Sequence, residues 1–191
     1  TRLLRRAGVP MALRNSPWQR SLECVVVLAG LGATRAEAQS LVRGPYLQNV
    51  TTSSIVVVWD LDGTAAGEVH YGATADLGQV ATSGGGTHHE VTISCLSAGA
   101  DYFYSVYVAG AAVGDVQRLP TAVTAGQPFR FIAFGDTRTN AAVQQSVVEA
   151  MLDEPDVRFY VNTGDLVAHG ENASEWDEFF AIEAPMAGGT P

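Results

Sequence analysis

The chain has 191 residues, with 20 acidic side chains against 11 basic ones and a formal net charge of −9. An acidic balance of this size repels a nucleic-acid backbone and argues against DNA or RNA as a partner. It leaves an anionic small molecule open as substrate, because bound metal ions can reverse the sign of the field locally.

The first residue is Thr and the first Met is Met11, so translation is expected to start at Met11, with non-native residues before it, as in a gene fragment. From Met11 to Ala38 the layout is that of a secretory signal. Arg14 and Arg20 precede an apolar core from Cys24 to Ala33, and Ala36-Glu37-Ala38 forms a small-x-small cleavage site. The core is about half of the ~20 residues needed to span a bilayer. A signal peptide over 1–38, a secreted or periplasmic protein and no membrane span after cleavage are therefore expected. Glu23 and Arg35 flank the core, which keeps an uncleaved anchor as the alternative. Charge divides at the same place, with six Arg and two Glu up to Ala38 and five Arg, eighteen acids and no Lys after it. Cys24 falls in the leader and Cys95 is left alone, so no intrachain disulfide is expected in the mature chain. Cys95 continues the alternation of Val91 and Ile93 and is expected to be a small core residue.

Residues 41–120 carry short alternating runs separated by turns: Ser54 to Leu61, Glu68 to Tyr71, His89 to Leu96 and Tyr102 to Ala109. This predicts an all-β sandwich, with Trp59 as the large buried residue of an early strand. Asp60-x-Asp62-Gly63 is expected to be a hairpin turn; as a calcium loop it would have Tyr71 where the bidentate Glu belongs. Gly84-Gly85-Gly86 lacks the Gly-Lys-Ser/Thr ending of a phosphate loop and predicts a flexible connection. Residues 121–128 form a linker.

Two apolar runs follow, Phe129 to Phe134 and Val157 to Val161, each ending in a Gly-Asp step: Gly135-Asp136-Thr137-Arg138 and Gly164-Asp165-Leu166-Val167. They predict buried strands of a parallel sheet. Ala142 to Leu152, free of Gly and Pro, predicts a helix between them with Val143, Val147, Val148, Met151 and Leu152 on one face. Ligands of open α/β sheets collect at the carboxyl ends of strands, where this unit puts Asp136 and Asp165. Two convergent carboxylates beside glycines suit a hard or borderline metal ion. The competing reading is structural, since Gly-Asp is a common turn pair and an Asp after a strand often caps a helix. Ser174-x-x-Asp177 is a plausible cap for a helix bearing Trp176, Phe179 and Phe180, and His169 is expected in a solvent-facing loop.

This order of strand, Gly-Asp, helix, strand, Gly-Asp-Leu-Val and aromatic helix resembles the opening of the calcineurin-like metallophosphoesterases, an α/β domain. Gly44-Pro45-Tyr46-Leu47-Gln48 and the β-rich segment resemble the module that precedes it in the purple acid phosphatases. The stretch from Leu96 to Tyr102 resembles the leucine, loop and tyrosine corner of fibronectin type III domains. The resemblance implies a fibronectin-like domain over 41–120 and the first, incomplete part of the catalytic domain over 129–191. It implies a dinuclear centre of iron, zinc or manganese, with Asp136 as a terminal ligand, Asp165 as the bridge and a phosphate ester as substrate. Two positions depart from the pattern. Arg138 stands where many relatives have a His ligand, and Ala168 where the iron-type enzymes have a Tyr, so a tyrosinate-iron bond is not expected. The Arg138 guanidinium is suited to binding the substrate's phosphate; alternatively it pairs with an acid such as Glu171. The family's later motifs, Gly-Asn-His-Glu or Asp and Gly-His-x-His, are not in these 191 residues. The chain by itself is therefore expected to hold half a site and no catalysis. A secreted binding or adhesion module with a degenerate α/β tail is the second reading. A phosphatase using Asp136 as nucleophile is disfavoured, because that chemistry wants a second Asp where Arg138 stands.

Overall fold

A computed structural model describes residues 39–191, so the signal-peptide expectation lies outside the described residues. The described chain begins with six strands: β1 (Leu41–Gln48), β2 (Ile55–Gly72), β3 (Gln79–Ile93), β4 (Asp101–Val108), β5 (Ala111–Ala112) and β6 (Gln117–Pro120). They form one antiparallel sheet in the order β1-β2-β4-β5, with β3 also on β2 and β6 on β4. The first half of β2 pairs with β1 and its second half with β4, while β3 follows it along both halves. Leu47 of β1, Ile55, Trp59 and Val69 of β2, Ile93 of β3 and Tyr104 of β4 share one buried cluster. For both halves of β2 to reach it, the sheet must curl upon itself. Alternation of apolar and polar residues along each strand is what gives the sheet its single dry face.

The curl corrects two expectations. Asp62-Gly63 is no hairpin turn; β2 runs through it with a register shift between Asp60 and Ala65. Asp62 instead receives hydrogen bonds from the Ser40 backbone N–H and hydroxyl, both at 2.9 Å, which hold its carboxyl below the usual value. Gly84-Gly85-Gly86 is likewise no flexible connection but part of β3, with Gly86 opposite Ala65 and Gly85 opposite Ala66. The close approach to Trp59 falls on the paired strand β2, at Gly67. A Cβ on Gly67 would overlap the indole ring. His89 stacks on the same ring at 4.7 Å, donates from Nε2 to the Gly86 carbonyl and lies 2.6 Å from the Ser83 hydroxyl. Cys95 is exposed rather than in the core: β3 ends at Ile93, and a φ of 62° at Cys95 breaks the alternation. The expected corner forms, with the Ser97 N–H donating to the Tyr102 hydroxyl at 3.0 Å. Thr121 and Ala122 remain stitched to the β region, through the Ser97 and Thr51 carbonyls.

The remainder is β7 (Arg130–Phe134), α1 (Ala141–Leu152), β8 (Val157–Asn162) and α2 (Ala173–Ala187), with β7 and β8 parallel as expected. Asn140 caps α1 by accepting from the Val143 N–H, and Asn172, not Ser174, caps α2 by accepting from the Ser174 N–H. The buried face of α1 is only partly the predicted one. Gln144, Val148 and Met151 point inward, whereas Val143, Val147 and Leu152 are exposed. The strands are only half-buried, with Phe129, Phe131 and Val161 exposed and the Phe131 and Phe159 rings stacked at 5.3 Å.

What turns α1 is a buried carboxyl. Glu183 of α2 is 1% exposed and accepts a 2.9 Å hydrogen bond from the Gln144 amide, while its Oε2 has no partner. Burial pushes its pKa up, and burial together with Glu183 pushes the Tyr160 phenol up to about 12. A carboxyl whose folded pKa is raised contributes stability that is present below its unfolded value and is lost as pH rises through the folded value. Glu183→Gln keeps the acceptor for Gln144 and removes the charge. Its unfolding midpoint in urea is expected to exceed that of the wild type at neutral pH and to converge with it below about pH 4, near the unfolded carboxyl pKa. Equal midpoints at both pH values would contradict this account.

The β region and the α/β segment are tied by specific contacts. Tyr104 donates its buried hydroxyl to the Gly188 carbonyl at 2.8 Å. Arg43 pairs with Asp177 at 2.7 Å, and Tyr46 stacks on Phe180 with ring centroids 5.4 Å apart. Asp101 receives both Arg118 and Arg158 at 2.8 Å. These contacts hold α2 and the start of β8 against the β region.

Candidate metal and phosphate site

Asp136 and Asp165 each follow a Gly just past the end of a parallel strand, after Phe134 of β7 and, with Thr163 intervening, after Asn162 of β8. Both adopt left-handed backbone, with φ of 59° and 56°. That conformation costs an ordinary side chain about 1–2 kcal/mol, and Asp is among the residues that tolerate it best. A set of cross-loop hydrogen bonds offsets the cost. The Asp136 N–H donates to the Gly164 carbonyl at 2.9 Å, and the Thr137 and Arg138 N–H groups both donate to the Asp165 carbonyl, at 3.0 and 2.9 Å. Below them the Thr163 N–H donates to the Phe134 carbonyl at 2.7 Å. Each such bond contributes about 1 kcal/mol net. Gly135 is required by this close approach, since a Cβ there would overlap the Thr163 hydroxyl.

The two loops thus form one joined rim, and Thr137 divides it into two hollows. Asp136 lines a cavity of about 130 Å³ with Gly135, Thr137, Asn140 and Gln144. Arg138 lines a cleft of about 250 Å³ with Gln144, Leu166, Glu175, Glu178 and Phe179. The Glu175 carboxyl is held below its usual value by the His169 ring and backbone N–H, each at 2.8 Å. His169 is thereby committed to the start of α2, with its side chain 66% exposed.

Arg138 forms an ion pair with Asp165, Nη1 to Oδ1 at 3.5 Å, and not with Glu171. Sequence reasoning missed this partner. The pairing follows from the register of β7 against β8, which brings the residue two places after Asp136 alongside Asp165.

Carboxylate oxygens of this kind suit magnesium, manganese, zinc or iron, so Asp136 and Asp165 fit as metal donors. They do not complete a site: among the described residues no group of three or more His, Cys, Asp or Glu side chains is arranged to hold an ion. Also among the described residues, no helix is long and apolar enough to cross a membrane.

No family model matches the chain, and no curated protein matches it. Among solved structures the chain is similar to PhoD, at 10% identity and a TM-score of 0.56, over 76% of this chain and 36% of that one. It is similar to the sensor domain of the anti-sigma factor RsgI4 from Pseudobacteroides cellulosolvens, at 14% identity over 49% of this chain and 98% of that one, with a TM-score of 0.38. A fibronectin type III domain of the human KIAA0970 protein is 14% identical over 47% of this chain and 77% of that domain, with a TM-score of 0.36. The likeness to PhoD is one of fold, and the chain spans about a third of that structure's length.

Proposed function

We propose that this chain is the opening part of a secreted or periplasmic metal-dependent phosphoesterase of the purple acid phosphatase kind, and that Asp136 and Asp165 are its first two metal-binding residues. The observation that carries the reading is the joining of the two Gly-Asp loops. Two hydrogen bonds to the Asp165 carbonyl and one to the Gly164 carbonyl hold both aspartates on one rim, at the carboxyl ends of parallel strands. A fold like that of PhoD supports it.

In this reading Asp136 is a terminal ligand and Asp165 a bridging one. Two metal ions held there, of iron, zinc or manganese, would polarise a phosphoryl group and acidify water. Arg138 binds a non-bridging phosphate oxygen through its planar fork. Gly135 and Gly164 let the backbone turn tightly at each loop. The resemblance assigns the remaining ligands, and the acid that protonates the leaving group, to motifs that these 191 residues do not contain.

Translation of the coding sequence past Pro191 tests the proposal. Gly-Asn-His-Glu or Asp soon after Pro191, and Gly-His-x-His later, are expected. A continuation without these motifs overturns the enzyme reading and favours the second one, a secreted binding or adhesion module with a degenerate tail. The observation on that second side is the ion pair between Arg138 and Asp165, which satisfies a carboxylate without any metal.

A further inference from the structure

We propose that Arg138 is a displaceable placeholder for metal on Asp165, so that metal loading frees the guanidinium for phosphate. The inference rests on the reading of Asp165 as a metal ligand. Its basis is geometric. The Arg138 N–H donates to the Asp165 carbonyl at 2.9 Å, which pins the two residues side by side. Their side chains meet at 3.5 Å, and they are 44% and 51% exposed, so nothing encloses the pair.

The other arginines of the described residues are engaged elsewhere. Arg43 is on Asp177, Arg118 and Arg158 are on Asp101, and Arg130 is 3.8 Å from Glu154. Only Arg138, among the described residues, pairs with a strand-end carboxylate of the rim. Its charge is permanent, so it cannot yield by losing a proton. A cation approaching Asp165 must displace the guanidinium or share the carboxylate with it, and both weaken metal binding.

The released Arg138 would lie beside the cleft of about 250 Å³ that it already lines, free to bind an anion. Metal and phosphate affinities are then linked: phosphate that engages Arg138 removes the competitor and tightens metal binding, and metal tightens phosphate binding by the same factor. An apo site occupied by its own cation also leaves the Asp165 carboxylate paired.

The test is titration of the 191-residue chain with Mn²⁺, reading free Mn²⁺ by its electron paramagnetic resonance signal. Arg138→Gln is expected to bind Mn²⁺ several-fold more tightly than wild type, the scale of a half-exposed ion pair. Arg130→Gln removes the same charge at the amino end of β7 and is expected to leave the affinity unchanged. Asp165→Asn is expected to lose binding, alone or combined with Arg138→Gln. Equal affinity of Arg138→Gln and wild type, with binding still lost in Asp165→Asn, overturns the placeholder and leaves the metal site standing. Equal tightening by Arg130→Gln overturns it as an effect of net charge. Binding retained in Asp165→Asn overturns the reading of Asp165 on which the inference rests. No binding by Arg138→Gln up to the solubility limit overturns the inference as well.

Discussion

Asp165→Asn, made in the protein extended along its own coding sequence, is expected to lower phosphoester hydrolysis by roughly a thousandfold, because the charge stabilisation lost amounts to several kcal/mol and each 1.36 kcal/mol is tenfold in rate. Asn keeps the shape of the side chain and tolerates the left-handed backbone found at Asp165, so the rim should survive. The three backbone hydrogen bonds that join the loops do not involve the carboxylate. The ion pair with Arg138 is lost, but a half-exposed pair contributes only about 0–1 kcal/mol. Activity should therefore disappear with little change in unfolding midpoint. Hydrolysis of p-nitrophenyl phosphate and urea unfolding, measured on the same preparation, check both halves. Activity within tenfold of the wild type would remove Asp165 from the mechanism.

Trp59→Ala is expected to destabilise the protein by about 3–5 kcal/mol, a large share of the ~5–15 kcal/mol available to a domain. Trp59 is fully buried in β2 and sits in the cluster shared by both halves of the curled sheet. Its indole N–H has no partner, so truncation removes no hydrogen bond and the cost is one of packing and cavity formation. His89 would lose the ring on which it stacks at 4.7 Å, and Gly67 the ring it abuts. Trp59→Phe keeps a ring in that place and should cost less. Urea unfolding reads the difference; a loss under about 1 kcal/mol for Trp59→Ala would mean that the cavity collapses or that the core lies elsewhere.

The parts of the fold that were legible are those specified by local chemistry. Trp59 is the most bulky apolar residue of its run and is fully buried; Tyr102 reaches Ser97 within a loop of fixed length; the two apolar runs ending in Gly-Asp are parallel strands. Errors arose where distant residues decide. Asp62 reads as a turn until Ser40 is seen to occupy its carboxylate. The triple glycine of β3 reads as slack until Gly86 and Gly85 are seen paired with Ala65 and Ala66 of β2. Apolar periodicity assigned α1 a face of Val143, Val147, Val148, Met151 and Leu152; Val148 and Met151 are buried, but the others are exposed and the polar Gln144 turns inward to donate to the buried Glu183. In the candidate site both aspartates were legible from the Gly-Asp repeat. Their left-handed backbone, the hydrogen bonds that join the loops and the choice of Asp165 by Arg138 depend on the register of β7 against β8, which pairs Phe134 with Asn162. No local pattern encodes that register.

The central claim is that Asp136 and Asp165 hold metal together. Elemental analysis of the extended protein, purified after exposure to iron, zinc and manganese, tests it most directly when the wild type is compared with the Asp136→Asn, Asp165→Asn double variant. The account predicts about two metal ions per chain in the wild type, as a dinuclear phosphoesterase centre requires, and a near-empty double variant with unchanged circular dichroism. Equal metal content in the two proteins, or none in either, would contradict it.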